Sequence, residues 1–200
     1  MQFGIAALNQ VFSMCEGTIT AIYGITGSNT TGLALHIARN VVINWGKVLF
    51  LGEAKELCNL NLRYINLIPG MPPKNLVRYL RGTSTNLVVI DNVYLMNPER
   101  NYVGDRERIV FLYQELKNIA LKEKTAFLVT DKLTRLDPFP FLSPFIVMYC
   151  DNVFILNAES KLTLEKCRSL PIKRGTQFSM EPFCRCQQNG WDTPENEGNN

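Results

Sequence analysis

The run Asn86-Leu-Val-Val-Ile-Asp91 constrains this chain more than any other feature. Its four consecutive aliphatic side chains alternate to the two sides of an extended backbone, so the strand they form is covered on both faces, as strands of parallel sheets are. Similar short, β-branched or apolar runs occur at Thr18-Ile-Thr-Ala-Ile-Tyr23, Lys47-Val-Leu-Phe-Leu51, Tyr64-Ile-Asn-Leu-Ile68 and Thr125-Ala-Phe-Leu-Val-Thr130. Helix-periodic stretches separate them. Gly32–Ile43 is apolar at Leu33, Ile37 and Val41; Asn75–Arg81 is a short helix after the break Pro69–Pro73; Asp105–Lys124 carries the stripe Ile109, Leu112, Leu116, Ile119 and Ala120. Residues 92–104 and 133–147 read as irregular connections. Three more strands, Asn152–Leu156, Lys161–Lys166 and Gln177–Met180, follow without helices between them. This order predicts an α/β fold, with a central, mainly parallel sheet flanked by helices and a C-terminal antiparallel extension.

Two hundred residues, 46% hydrophobic and 20% charged, suit one ordinary domain and exclude wholesale disorder. A core over 1–186 and a polar tail over 187–200 are expected. No apolar run is long enough for a membrane helix, and Met1-Gln-Phe-Gly4 does not resemble a signal peptide, so the expectation is an intracellular, cytoplasmic chain (nuclear in a eukaryote) with no membrane partner. Residues 1–180 hold 20 Lys/Arg against 14 Asp/Glu, and the last twenty hold four acids and one Arg. That mildly basic body permits a phosphate-backbone partner without demanding one. The six cysteines form no CxxC pair and the single His36 completes no zinc site; reduced thiols are expected, with a disulfide between Cys184 and Cys186 left open.

The turn Gly24-Ile-Thr-Gly-Ser-Asn-Thr-Thr31 lies between a strand and a helix, where backbone amides and the helix dipole suit a phosphate. Against the full pattern G-x-x-x-x-G-K-[ST], Gly24, Gly27 and Thr31 are kept, and Ser28 belongs to the loop. Asn29 replaces the second required glycine and is expected to preserve the turn through its tolerance of positive φ. Thr30 stands where the lysine belongs and supplies no cation, which weakens phosphate binding and removes charge from a phosphoryl-transfer transition state. Thr31 and Asp91, which ends a buried strand sixty residues later, are candidate Mg²⁺ ligands. Glu53, after the second strand, is a candidate base for activating water.

Taken together in order, these segments resemble the RecA-type recombinase core, particularly the archaeal RadA/RadB group and its eukaryotic paralogues, over roughly residues 4–183. Gly4-Ile-Ala-Ala-Leu-Asn9-Gln-Val-Phe12 is similar to the family's opening T-G-I-x-x-L-D-x-L-L, and Gly17-Thr-Ile-Thr-Ala-Ile-Tyr-Gly24 to its G-x-I-T-x-I-Y-G strand. Lys47–Glu53 resembles the strand ending in the family's water-activating glutamate, and Leu87–Asp91 its Walker B strand. Ala126–Lys132 resembles the next strand, with Lys132 where the family has its γ-phosphate-sensing Gln. Leu164-Glu-Lys-Cys-Arg-Ser-Leu-Pro171, with Gly175 and Phe178, is similar to L-x-K-x-R-x-x-P…G…F. Phe3-Gly-Ile-Ala6 matches the polymerisation motif F-x-x-A by coincidence, since it lies inside the opening segment, and the small N-terminal domain of the full recombinases is not expected.

The resemblance implies an accessory paralogue in homologous recombination and DNA repair with a degenerate Walker A motif. ATP and Mg²⁺ would bind weakly, and Thr30 argues against an efficient ATPase. Lys166 and Arg168 would act in trans on a neighbour's ATP, which implies a homo- or hetero-oligomer with a recombinase or sister paralogue. Single-stranded DNA would meet two loops, through Arg100, Tyr102, Arg106 and Arg108 in the first and Arg135 in the second, where guanidinium groups neutralise phosphate and rings stack on bases. Two rivals are a DNA-dependent ATPase in which Lys132 or a partner's cation substitutes for the lysine, and a KaiC-like regulatory module without DNA binding.

Overall fold

A computed structural model describes residues 14–25, 27–44, 46–52, 72–93, 107–132, 147–168 and 172–180, and the backbone path at 63–66 and 102–106. Its strands are β1 (Ile19–Gly24), β2 (Val48–Gly52), β3 (Arg63–Asn66), β4 (Leu87–Ile90), β5 (Ala126–Lys132), β6 (Asn152–Leu156), β7 (Lys161–Cys167) and β8 (Gln177–Ser179). The helices are α1 (Thr30–Ile43), α2 (Pro73–Leu80) and α3 (Tyr102–Glu123). Among the described residues the sheet order is β3-β2-β4-β5-β1-β6-β7-β8. The first six strands are parallel, β7 is antiparallel to β6, and β8 is antiparallel to β7. The expected architecture is what forms.

Alternation along the central strands divides the core in two. One set, including Ile22, Phe50, Val89, Leu128 and Phe154, packs under Leu33, Ile37 and Val41 of α1. The other, including Tyr23, Leu51, Ile90 and Val129, packs under Leu76 and Leu80 of α2 and Leu112 and Leu116 of α3. The sheet is therefore sandwiched between helix layers, and its fully covered strands explain the unbroken aliphatic run at 87–90. α2 starts with Pro73, whose fixed φ and missing amide suit a first helical position, and gives way to Gly82 at φ +80°.

Several bounds differ from the sequence reading. α3 begins at Tyr102, not Asp105, so Tyr102, Arg106 and Arg108 belong to helix and not to an irregular loop. An acid at 105 reads as a cap, but carboxylates are equally favoured inside a first turn, where they meet the positive end of the dipole. β5 continues to Lys132 because its backbone stays paired with β1 as far as Gly24. The third strand covers Arg63–Asn66, and the helix before the fourth starts at Pro73.

The ladder between β6 and β7 contains a bulge. Phe154 faces Leu164 and Val153 faces Lys166, so Glu165 is the extra residue. Leu162 and Leu164 lie under α1, yet Lys166 emerges beside Val153 on the face of α2 and α3. No helix among the described residues is long and apolar enough to cross a membrane.

Candidate functional site

The loop after β1 is shaped by two glycines for different reasons. Gly27 has φ +87°, a conformation L side chains rarely adopt. Gly24 is needed for space: a Cβ there would lie 2.2 Å from Ser28 Oγ and 2.4 Å from Thr30 Cγ2. The Ser28 amide closes the turn on Ile25 O at 2.9 Å. Asn29 does not adopt positive φ. It sits at φ −106° as the N-cap of α1, its Oδ1 accepting from Gly32 N at 2.7 Å. The sequence reading of Asn29 as a glycine substitute is thus corrected: the carboxamide competes for the helix end, the stronger habit of an Asn preceding a helix.

Thr30, in the lysine position, turns inward and is 2% exposed. Thr31, one residue on, donates its hydroxyl to Asp91 Oδ2 at 2.8 Å. The other carboxylate oxygen accepts from Thr130 Oγ1 on β5. Thr130 Oγ1 in turn accepts from the amide of Asn92, which stands at φ +58° just past the strand. Asp91 also presses on β2, where a Cβ at Gly52 would meet Asp91 Cβ at 2.9 Å. Sequence reasoning missed Thr130. Its signal was a polar residue on an alternate position of an otherwise aliphatic strand, level with the end of its neighbour.

At the carboxyl edge of the sheet, therefore, Gly24, Gly27, Ser28, Asn29, Thr30, Thr31, Asp91 and Lys132 come together. The Thr31 hydroxyl and Asp91 carboxylate are the hard oxygen donors that Mg²⁺ takes, usually completed by waters and phosphate oxygens. Ser28 Oγ is buried in the loop against Gly24 and has no hydrogen-bond partner among the described residues. These groups fit a polyphosphate with its metal, and the loop itself contributes no positive side chain. Glu53, Arg100 and Arg135 lie outside the described residues, as do the side chains of Tyr102 and Arg106 and the pair Cys184 and Cys186. Arg108 is described and exposed on α3.

Lys166 and Arg168 are at the opposite edge. Lys166 faces Val153 near the start of β6, whose Asn152 is level with Thr20 at the start of β1. Lys166 Nζ donates to Val147 O and to Cys150 O, the latter at 2.7 Å. Arg168 donates to Met148 O and stands 3.8 Å from Asp151 Oδ1. Asp151 is anchored by Ile19 N at 2.8 Å and by Lys117 Nζ at 2.7 Å, and Lys117 also donates to Gly17 O. Desolvation, then repulsion from Arg168, holds the Lys166 ammonium below its ordinary pKa. Half of the Arg168 side chain remains exposed.

Between the two edges, under α3, Tyr23 and Tyr113 share a hydrogen bond of 3.2 Å. Burial raises both phenols well above their ordinary range and pushes the adjacent Cys150 thiol up to about 12.

No family model matches the chain. A stretch of 115 residues, 57% of the chain, is 26% identical to the dUMP-forming dCTP deaminase of Methanosphaerula palustris and spans 56% of that enzyme. The structure superposes on the crystal structure of the RadB recombinase with a TM-score of 0.64, covering 88% of this chain and 93% of that one at 19% identity. At that identity the likeness concerns architecture, and the chain has a RecA-like recombinase fold.

Proposed function

We propose that this chain is an accessory recombinase paralogue in homologous recombination and DNA repair, with absent or weak ATP hydrolysis of its own. The observation that carries the reading is the separation of two half-sites. The carboxyl edge has a phosphate-type loop with Thr31 and Asp91 but a threonine for its lysine. The opposite edge has Lys166 and Arg168, which lie across the sheet from that loop and in this reading would serve another subunit, leaving their contacts with backbone carbonyls to do so. Such a chain assembles with a recombinase or sister paralogue and completes the partner's site better than its own.

In this reading Ser28 and the amides of the loop hold phosphate oxygens, and Thr31 and Asp91 hold Mg²⁺, which would neutralise the phosphates when bound. Glu53 is the residual base. Single-stranded DNA meets the chain through Arg100, through Tyr102, Arg106 and Arg108 of α3, and through Arg135.

The test mixes the chain with a RecA-type recombinase of the same organism and follows ATP hydrolysis by the mixture on single-stranded DNA. The chain is expected to change the partner's turnover, and Arg168→Ala to abolish that change without altering the fold. An Arg168→Ala chain as active as wild type would refute the trans role. DNA affinity is expected to fall steeply with salt and to weaken on Arg108→Ala; a salt-independent or absent interaction would favour a regulatory module instead.

A further inference from the structure

We propose that Lys132 supplies the phosphate-facing cation that the loop at 24–31 lacks. This rests on reading that loop as a polyphosphate site and names a residue of it. In the β1–β5 ladder Lys132 stands directly opposite Gly24, the first residue of the loop. Adjacent strands lie about 4.8 Å apart, so the lysine backbone starts one strand spacing from the turn.

Alternation along β5 then fixes the side on which Lys132 leaves. Asp131 is buried on the α2–α3 face, close enough to Tyr23 and Tyr113 to repel their ionised forms. Thr130 lies on the other face, where its hydroxyl holds Asp91. Lys132 is two residues beyond Thr130 and so leaves on Thr130's side, the side on which Thr31 and Asp91 meet. Its side chain is exposed, and its ammonium makes no ion pair among the described residues.

The usual donor of this charge is foreclosed. Thr30 is 2% exposed, with its methyl group folded onto Gly24. A lysine carries its charge on a flexible four-carbon stem and binds phosphate as a point charge, without the fixed fork that arginine needs. A strand-borne lysine next to the turn can therefore replace a helix-borne one in binding. It approaches from the neighbouring strand instead of from within the loop, so the geometry of transfer is not reproduced, which agrees with weak hydrolysis.

The test titrates the full chain, in Mg²⁺, with an ATP derivative carrying a fluorescent group on its ribose. Lys132→Gln is expected to weaken binding about tenfold, Lys132→Arg to lose much less, and Lys122→Gln on the exposed face of α3 to lose nothing. The melting temperature should not move, because Lys132 is exposed. If wild type binds and Lys132→Gln binds equally, Lys132 has no such role and the loop remains a nucleotide site without it. Equal weakening by Lys122→Gln would reduce the effect to overall charge and overturn the proposal. A wild-type chain that does not bind the probe removes both the site reading and the role of Lys132.

Discussion

Thr31 and Asp91, sixty positions apart in sequence, are joined by a 2.8 Å hydrogen bond at the carboxyl edge of the sheet. Asp91 is 4% exposed, so its carboxylate depends on protein donors in the absence of a metal. Thr31→Val is expected to cost about 1–3 kcal/mol in urea unfolding, the penalty for leaving a buried acceptor short of a donor. The same variant should lose the Mg²⁺ dependence of nucleotide affinity, read by repeating the titration with EDTA.

The two loop glycines should respond differently to substitution. Gly27→Ala suffers only its φ of +87°, because the nearest atom to the new Cβ would be Ala158 Cβ at 3.5 Å. A loss of about 1 kcal/mol is expected. Gly24→Ala brings its methyl group within 2.2 Å of Ser28 Oγ and must push the loop open. It should lower the melting temperature more than Gly27→Ala, and should alter the amide signals of residues 28–31 in an NMR spectrum.

Lys166 and Arg168 should separate in stability measurements. Lys166 is half-buried and donates to two backbone carbonyls, so Lys166→Met is expected to destabilise the fold by about 1–3 kcal/mol. Arg168 is half exposed, and its approach to Asp151 at 3.8 Å is a weak contact. Arg168→Ala should cost less than about 1 kcal/mol by chemical denaturation.

Cys150 sets an alkaline limit. In the unfolded chain its thiol ionises near 9.0, whereas burial in the fold pushes the value up to about 12. Between those values the folded chain keeps a proton that the unfolded chain has lost, so stability is full below pH 9 and falls as pH rises toward 12. The slope approaches about 1.4 kcal/mol per pH unit for one group. Tyr23 and Tyr113, whose ionisation is also raised by burial, add to the fall above their ordinary value of 10.0. Urea midpoints measured across this range should therefore decline, and in Cys150→Ala the decline should begin about one pH unit later.

Much of the architecture was legible because the aliphatic runs at 19–23, 48–51, 87–90 and 126–129 are too apolar for a surface and too short for helices. The loop and its two partners, Thr31 and Asp91, were legible from spacing. Asn29 was misread because two habits of asparagine compete at one position, and the helix end prevailed. Thr130 was missed because its role depends on β5 lying beside β4, a pairing that no local pattern displays. The placement of Lys132 beside Gly24 is likewise a product of strand order.

The bulge at Glu165 has a further consequence. Counted in twos from Leu162 and Leu164, position 166 would fall under α1, among hydrocarbon side chains. By looping out one residue, the bulge keeps Lys166 on the α2–α3 face at the base of the sheet, half-buried against backbone carbonyls. Regular pairing through Glu165 would turn Lys166 toward that hydrocarbon, whereas deleting Glu165 would leave Lys166 opposite Val153. The bulge thus absorbs Glu165 without changing the side on which its neighbours lie, and the Glu165 carboxylate is paired with Arg174 at 2.8 Å.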